Sequence, residues 1–326
     1  MAVPTLASGD ALADCLRSLE SQTFGDFEVV VIDNSGGGRA QISSGRVRAI
    51  ANPRNVGFGA AVNQALRASQ APYLATLNDD AMADPRWLEA LVASAEAEPR
   101  AGMFASQVRL SAAALDSAGM LIAADGSSKQ RGHGEPPAAF GEACEVLCPS
   151  GSAALYRRAM LDQIGAFDES FFLYCEDTDL GLRARWAGWE CRYVPGAIVE
   201  HRYSHSAGAA SLLKAYYVER NRLFTVVKNF PLRALLRAPG AALARYFWHT
   251  MSLFSGRGKA SEFRASGRSP AWLPLLALRA HAAALLSLPR LLRERRRIVR
   301  SRRIAASQFE ELLARHAIRV RQVAAL

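Results

Sequence analysis

The chain has 326 residues, 50% hydrophobic and 21% charged, so it is long enough for two folded units with a buried core. Its charge is uneven: residues 210–326 hold 23 Lys and Arg against five acids, a net charge of +18, whereas residues 1–209 carry −8. Five scattered cysteines exclude a disulfide framework and favour a reducing cytoplasm. Neither a secretory signal nor an uninterrupted apolar run of about 18 residues is present, which argues against export and against a membrane-spanning helix.

Helix-like and strand-like segments alternate through the first hundred residues. Apolar residues at helical spacing predict a helix over Asp10 to Ser21, and the run "FEVVVIDNSGGG" predicts a strand that is buried on both faces. Further strands are predicted in "VRAIAN" and "YLATLNDDA", with a helix over Ala60 to Ser69 between them. This alternation indicates an α/β fold with a mainly parallel sheet, in which ligands gather at the carboxyl ends of the strands.

The pattern changes in the second half of the chain. The pattern weakens from about residue 103 to 150, with a Gly- and Pro-containing loop around "DGSSKQRGHGEPPAAFGE", and residues 151–165 are predicted to form a strand and a helix. Beyond Ser211 the apolar spacing is helical, with breaks predicted at Pro231, Pro239, Pro270, Pro274 and Pro289. A helical segment is therefore expected to follow the α/β part.

Three acids follow a short aromatic segment in "FFLYCEDTDLGLRARWAGW". Capping of a helix N-terminus accounts for one or two of Glu176, Asp177 and Asp179. Capping does not account for the aromatic side chains before them, and an acid beside an apolar wall can have its pKa raised towards that of a useful base. The stretch is therefore a candidate general-base site, with capping alone as the alternative.

A second group of polar residues ends a predicted strand. Asn78, Asp79 and Asp80 can present oxygen atoms to a hard divalent cation, which would offset the charge of a diphosphate. The alternative is a simple turn, because Asn and Asp favour turns after strands.

Several stretches together resemble a known family: "VVVIDNSGG", "NPRNVGFGAAVNQAL", "YLATLNDDA", "SGSAALYRRAMLDQIGAFDESFFLYCEDTDLGLRARWAGW" and "VEHRYSHSAG". Their order and spacing resemble family-two glycosyltransferases of the A-type fold, most of all bacterial rhamnosyltransferase-like members. The resemblance covers about residues 3–230 and implies a Rossmann-like, mainly parallel sheet with a C-terminal helical extension. It implies a nucleotide-sugar-binding half at 1–100, an acceptor and catalytic half at 101–230, and a basic, membrane-associating extension at 231–326.

The resemblance also implies roles for individual residues. Asp177 takes the position of the general base, supported by Glu176. Asp80, Asn78 and His201 take the positions of ligands for Mg²⁺ or Mn²⁺, with His205 as a competitor of His201. The positions that match contacts to a dTDP- or UDP-linked sugar donor are Asp33, Asn55, Gly57, Asn63 and Asp79.

The N-terminal segment departs from the family pattern. Family members open with a full strand that ends in a Thr-Tyr-Asn-like turn, whereas Leu6 and Ala7 stand here where Tyr and Asn would be. We therefore expect either a natural start further upstream or a frayed first strand with altered recognition of the donor base.

The resemblance implies an inverting, metal-dependent transfer of a sugar, with rhamnose as the leading candidate. The donor would be a nucleotide diphosphate sugar, and the acceptor a hydroxyl of a glycan or polyprenyl-linked glycan in cell-envelope polysaccharide synthesis. One rival is a nucleotide-sugar or glycan-binding module of the same fold without turnover. A nucleotidyltransferase is disfavoured, because "MAVPTLASGD" contains no Gly- and Lys-containing phosphate loop.

The C-terminal region predicts an anionic partner. Eight Arg residues lie between residues 288 and 303, directly after the apolar stretch "WLPLLALRAHAAALLSL". This arrangement favours peripheral binding to the anionic inner face of the cell membrane from the cytoplasm, with a solvated helix as the alternative. Nucleic acid is disfavoured because few aromatic residues accompany the arginines. The sequence leaves the oligomeric state open.

Overall fold

The computed structural model describes residues 1–7, 10–40, 46–201, 212–255 and 272–325 of the chain. Two compact units are present. The first, here called the sheet unit, comprises residues 1–120, 130–185 and 189–206, and the second, the helical unit, comprises residues 121–129, 186–188 and 207–326. The three-segment division implied by the family resemblance stays a prediction.

The strands belong mainly to one large sheet. Their bounds are β1 Ala2–Thr5, β2 Val29–Asp33, β3 Val47–Ala51, β4 Tyr73–Leu77, β5 Ala81–Ala83, β6 Ala101–Ser111, β7 Ala114–Ser117, β8 Met120–Ile122, β9 Ser128–Gln130, β10 Cys144–Glu145, β11 Ala153–Arg157 and β12 Glu190–His201. The large sheet has the order β10-β12-β6-β11-β4-β1-β2-β3, with β5 added on β12 and β7 on β6, and β8 pairs with β9. Strands β4, β1, β2 and β3 are parallel, as are β6 and β12, whereas β11 lies antiparallel between the two groups.

The first strand is fully formed and central. Strand β1 pairs with β2 in parallel from Ala2↔Val30 to Thr5↔Asp33, and it also contacts β4. The expectation of a frayed first strand was therefore wrong. Four residues are enough because both neighbouring strands supply hydrogen bonds and three of the four side chains are buried.

Helices alternate with the strands and pack against the sheet. Their bounds are α1 Ala11–Glu20, α2 Phe58–Arg67, α3 Trp87–Ala97, α4 Arg158–Ile164 and α5 Glu176–Trp186. The predicted apolar stripe of α1 is confirmed, since Leu12, Cys15, Leu16 and Leu19 are all buried. All five residues of β2 are buried, which matches its continuous apolar run. The mixed α/β architecture predicted from the sequence is thus confirmed.

The helical unit contains α6 Leu212–Asn229, α7 Leu232–Ser255, α8 Trp272–Ser301, α9 Ala306–Arg315 and α10 Val320–Ala325. Within it, the Trp186 ring stacks on Phe309 at 4.0 Å, and the indole N–H donates to the Asn229 carbonyl at 2.7 Å. The break predicted at Pro231 falls between α6 and α7, and Pro270 lies outside the described residues. The break predicted at Pro274 was wrong, because this proline lies in the first turn of α8, where its missing N–H costs no helical hydrogen bond. The breaks predicted at Pro239 and Pro289 were wrong, because each proline removes one backbone donor from a helix of 24 or 30 residues, whose other bonds remain.

Apolar side chains on α7 and α8 are unusually exposed within this unit. They include Leu236, Leu243, Phe247, Leu278, Leu285 and Leu286, and Leu286 is 86% exposed. Helix α8 is long and apolar enough, by length and composition, to cross a membrane, and only 11% of its apolar window is buried. The sequence-based argument against any spanning segment was too strict, since a long apolar helix tolerates interruptions such as Arg279 and His281.

Candidate active site

The carboxyl ends of β1, β2 and β4 lie side by side and carry several of the predicted polar residues. The Thr5 hydroxyl donates to Asp79 Oδ2 at 2.6 Å, which joins the end of β1 to the residues after β4. Asp33, the last residue of β2, accepts from the backbone N–H groups of Ser35 and Ala40, each at 2.8 Å. Burial raises the pKa of Asp33, but the hydrogen bonds outweigh it and lower the pKa, so this carboxylate is ionised and orders the following loop.

Asp80 and His201 meet at the same edge of the sheet. The antiparallel register His201↔Ala81 between β12 and β5 places the histidine beside Asp80, whose Oδ1 lies 3.1 Å from His201 Nε2. Asp80 is buried, and in the part of the chain that the structure describes its Oδ1 has no partner besides this imidazole. On the other side of the ring, His201 Nδ1 lies 2.9 Å from Asp116 Oδ2.

The charges in this group are strongly coupled. Burial lowers the pKa of His201, but its hydrogen bonds to Asp116 and Asp80 outweigh burial and raise the pKa to about 9. Burial raises the pKa of Asp116, yet the partners His133 and His201 outweigh it and lower the pKa to about 2. Burial and the neighbouring charge of Asp80 raise the pKa of Asp79, against the hydrogen bond from Thr5. The group thus concentrates acidic charge around one imidazole.

Two of the predicted metal ligands fit a hard cation, and the third presents its amide nitrogen. Asp80 Oδ1 faces His201 Nε2, so a carboxylate oxygen and an imidazole nitrogen converge. The described residues contain no group of three or more His, Cys, Asp or Glu that could hold a metal. Mg²⁺ and Mn²⁺ sites at diphosphates commonly use one or two protein ligands, with phosphate oxygens and water completing the shell. Asn78 presents its amide nitrogen to His201 Nε2 at 3.3 Å, so its role as a ligand requires the opposite amide orientation and stays a prediction.

Asp177, in the first turn of α5, is connected to the end of β4. The Asn78 N–H donates to the Ser152 carbonyl at 2.8 Å. Gly151, the residue before Ser152, donates its N–H to Asp177 Oδ2 at 3.0 Å. The other oxygen, Oδ1, accepts from the Thr178 N–H at 2.6 Å. Burial raises the pKa of Asp177, opposed by these hydrogen bonds. A partly exposed carboxylate is thus fixed beside the strand end that carries Asn78.

Glu176 differs from its neighbour. It is buried, and its Oε2 has no hydrogen-bond partner among the described residues. Burial, together with the negative charge of Asp177, raises the pKa of Glu176 to about 8. Glu176 is therefore mainly protonated at neutral pH. The third acid, Asp179, accepts from Arg183 Nε at 2.9 Å inside the helix.

The loop before α2 is interlocked with the loop before α5. The Phe58 N–H donates to the Phe172 carbonyl at 2.8 Å. Gly57 has φ +89, and a Cβ added to it would lie less than 3.0 Å from that carbonyl oxygen. Positive φ angles recur at Phe172, Tyr174 and Cys175. These strained backbone positions lie directly before the acids, a frequent location of strain in functional sites.

Two further residues predicted to contact the donor make contacts within the protein. Asn55 Oδ1 accepts from the Gly57 N–H at 2.8 Å. The Asn63 amide donates to the Phe167 carbonyl at 2.9 Å and accepts from the Phe167 N–H at 3.0 Å. These contacts position the two loops, and direct contact of Asn55, Gly57 or Asn63 with a donor stays a prediction. His205 lies outside the described residues.

Sequence reasoning missed Asp116 and His133. Asp116 lies in the short strand β7 and His133 in the following loop region, and neither falls in a recognisable motif. Only the long-range pairing of β7 with β6, and of β6 with β12, brings Asp116 to His201. A cavity of about 740 Å³ on the sheet unit is lined by Gln107, Arg109 and neighbouring Pro and Ala residues and contains none of the predicted site residues, so we assign the chemistry to the strand ends.

Comparison with known proteins identifies the family of the chain. Residues 1–165 match the family model described as glycosyl transferase family 2. The chain is 32% identical over 256 residues to the N-acetylglucosaminyl-diphospho-decaprenol L-rhamnosyltransferase of Mycobacterium tuberculosis. This alignment covers 65% of the chain and 79% of that relative.

Two solved structures show the same fold at low identity. The structure of GalNAc-T7 with UDP, GalNAc and Mn²⁺ matches with a TM-score of 0.56 at 14% identity. The matched region covers 83% of this chain and 55% of the GalNAc-T7 chain. Staphylococcus aureus TarS 1–349 in complex with UDP-GlcNAc has a TM-score of 0.52 at 16% identity, covering 98% of this chain and 89% of TarS 1–349. These similarities confirm the A-type fold predicted from the sequence.

Proposed function

The chain belongs to glycosyl transferase family 2 and is a glycosyltransferase that uses a nucleotide sugar, and we propose that it is an inverting rhamnosyltransferase. In this proposal the donor is a dTDP- or UDP-linked rhamnose, and the acceptor is a hydroxyl of a polyprenyl-diphosphate-linked N-acetylglucosamine. The acceptor class is supported by the name of the Mycobacterium tuberculosis relative.

The observation that carries the proposal is the backbone connection between the two groups of acids. The Ser152 carbonyl receives the Asn78 N–H, and the adjacent Gly151 N–H holds Asp177. This turn places a candidate base beside the strand end that carries Asp79 and Asp80. Inverting transfer needs such an arrangement, because the base must act on the face of the sugar opposite the leaving diphosphate.

The proposed chemistry follows from the environments of the side chains. Asp177 accepts the proton of the acceptor hydroxyl while that oxygen bonds to the anomeric carbon, and the bond from this carbon to the diphosphate breaks on the opposite face. A mainly protonated Glu176 keeps a second negative charge away from Asp177. Asp80 and His201 would hold Mg²⁺ or Mn²⁺, which when bound neutralises charge on the leaving diphosphate.

A donor panel tests the proposal. We expect transfer to a short-chain polyprenyl-diphosphate N-acetylglucosamine from dTDP-rhamnose or UDP-rhamnose, dependent on Mn²⁺ or Mg²⁺ and abolished by EDTA. Transfer of a different sugar under the same conditions would correct the donor. Donor binding without transfer or hydrolysis for any sugar would favour the binding-module alternative.

We propose that the partner of the helical unit is an anionic bilayer, which the protein binds peripherally from the cytoplasmic side. Leu278, Leu285 and Leu292 recur every seven residues along α8 and are exposed, so they share one face. Exposed arginines follow on the same helix at residues 293, 296, 297 and 300, and directly after its end at residues 302 and 303. Exposed apolar residues next to clustered cations are typical of helices at a membrane interface. Polyprenyl-linked acceptors are held at such a surface.

Not every arginine of the cluster is available to lipid. Arg295 donates to the Val227 carbonyl at 3.0 Å and the Phe230 carbonyl at 2.7 Å, so it holds α8 to the end of α6. A charge variant should therefore spare Arg295 and replace Arg293, Arg296, Arg300 and Arg302 by Gln. A control with the same loss of charge replaces four exposed arginines of the sheet unit, Arg17, Arg54, Arg86 and Arg100.

Co-sedimentation with phosphatidylglycerol-containing vesicles distinguishes the outcomes. We expect the parent and the control to bind at low salt, and the charge variant to bind weakly, because each cation near the surface contributes about 1 kcal/mol. A parent that stays in the supernatant would overturn the membrane proposal. Bound protein that resists both high salt and alkaline extraction would replace peripheral binding with a spanning α8.

A further inference from the structure

Asp116 occupies a position that sheet pairing alone creates. Strand β7 pairs with β6 at Val108↔Ser117, and β6 pairs with β12 at Val108↔Val199, so the residue before Ser117 reaches the end of β12. Asp116 is 2% exposed. Its Oδ2 lies 2.9 Å from His201 Nδ1, and its Oδ1 lies 3.3 Å from His133 Nδ1.

The two nitrogens of the His201 ring have different neighbours. A carboxylate at Nδ1 fixes the proton on that nitrogen and holds the plane of the ring. The other nitrogen, Nε2, is then directed at Asp80 Oδ1, 3.1 Å away. A cation that takes the place of the Nε2 proton would have one imidazole and one carboxylate ligand in fixed positions.

We propose that Asp116 is the positioning residue of a divalent-cation site formed by Asp80 and His201. Asp116 does not touch the cation or the sugar, and it acts by orienting the imidazole. The inference rests on the proposed function, because it assigns a residue to the cation that the donor diphosphate requires.

A purely structural carboxylate has different partners in this protein. Asp125, which is fully buried in the helical unit, accepts from Arg245 Nε at 2.6 Å and lies 3.7 Å from Arg222 Nη1. In the described part of the chain the ion pairs of Asp116 are with histidines, His133 and His201. Histidine is a cation ligand when neutral, whereas arginine is not, so the choice of partner favours a role in ligand orientation.

The test measures Mn²⁺ binding rather than turnover. Calorimetric titration of Mn²⁺ into the full-length protein with dTDP or UDP present is performed for the parent, Asp116→Ala, Asp116→Asn and His201→Ala. We expect Asp116→Ala to weaken Mn²⁺ binding about 10- to 100-fold, the usual effect of removing an outer-shell partner. The isosteric Asp116→Asn should weaken it less, because its amide oxygen can still accept from Nδ1–H. The matched control Asp125→Asn should leave the Mn²⁺ dissociation constant unchanged.

A double variant separates orientation from general stability. In the His201→Ala background, Asp116→Ala should cause no further loss of Mn²⁺ affinity, because there is no ring left to orient. An equal further loss in that background, or an unchanged dissociation constant in both Asp116 variants, would overturn the inference. If Asp116→Ala does not fold by circular dichroism, Asp116→Asn decides the question in the same cycle.

The outcomes also separate this inference from the proposed function. A parent that transfers sugar and binds Mn²⁺, with Asp116 variants that bind it equally well, removes only the role of Asp116. A parent that binds neither Mn²⁺ nor Mg²⁺ with the nucleotide removes the cation from both proposals.

Discussion

Two buried clusters of charged side chains, one in each unit, differ in the balance between their acids and their basic groups. In the helical unit, Glu219 and Asp125 face Arg222 and Arg245, and the Tyr246 hydroxyl donates to Glu219 at 2.6 Å. Two acids meet two guanidinium groups. Burial raises the pKa of Glu219, but the two arginines outweigh burial and lower the pKa to about 2. The cluster is balanced in charge.

The cluster at the strand ends of the sheet unit is not balanced. Asp80 and Asp116 flank His201, and Asp79 is adjacent to Asp80 in the chain, so acids outnumber the imidazole that lies between them. Burying acids without an equal number of basic partners is costly, so this imbalance needs a reason other than stability. The difference indicates that the helical cluster holds a fold together and the strand-end cluster is built for a ligand.

The largest expected effect concerns the base. Asp177→Asn should reduce transfer about 10²- to 10⁴-fold with little change in donor affinity, because general-base catalysis contributes on that scale. Steady-state kinetics and donor titration provide the measurement, with the exposed Asp162→Asn as control. If Asp177→Asn stays active while Glu176→Gln is inactive, the assignment of the base is wrong.

Breaking the helical cluster should change stability and leave chemistry intact. Arg245→Met leaves Asp125 and Glu219 short of a buried partner, and we expect a loss of about 3–5 kcal/mol in the free energy of unfolding. Denaturant unfolding measures the loss. The rate of sugar transfer per folded Arg245→Met molecule should equal that of the parent. A lower rate per folded molecule would mean that this cluster also contributes to the reaction.

The contribution of Glu176 to the free energy of unfolding should depend on pH. Its pKa rises from 4.5 to about 8 on folding, so the folded protein keeps a proton that the unfolded chain loses between these values. The stabilising contribution is complete below pH 4.5 and is lost as the pH rises through 8. Relative to the parent, Glu176→Gln should gain on the order of 2–4 kcal/mol between pH 5 and pH 8. Urea unfolding at several pH values, with the exposed Glu89→Gln as control, measures this; a constant difference would contradict it.

The smallest expected effect concerns the interlocked loops. Gly57→Ala places a methyl group against the Phe172 carbonyl at a positive φ, so we expect a loss of about 1–3 kcal/mol together with weaker donor binding. Gly165→Ala is the control, because Gly165 also has a positive φ but no atom within 4 Å of an added Cβ. Equal losses in both variants would mean that backbone conformation alone, and not the contact with Phe172, requires glycine.

Local patterns in the sequence predicted the elements that carry their own signal. The apolar stripe of α1, the continuous apolar run of β2 and the acids after β4 are each contained in a short stretch of consecutive residues, so periodicity and turn chemistry are sufficient to predict them. The family resemblance added the order of these elements and hence the fold.

What the sequence could not predict depends on distant pairing or on context. Asp116 reaches His201 only through two successive strand pairings, across 85 positions of the chain. Pro239 and Pro289 signal breaks locally, but packing and the remaining hydrogen bonds keep α7 and α8 continuous. The contacts of Asn63 with Phe167 likewise join residues 104 positions apart.

The hydrogen bond from the Phe58 N–H to the Phe172 carbonyl makes one amide a reporter of the loop before α5. Phe58 begins α2, where an N–H has no partner within its own helix, so only the distant carbonyl protects it. Hydrogen–deuterium exchange at this amide therefore measures how often residues 172–175 leave their strained conformation. A donor that stabilises the loop should slow this exchange before any acceptor is present.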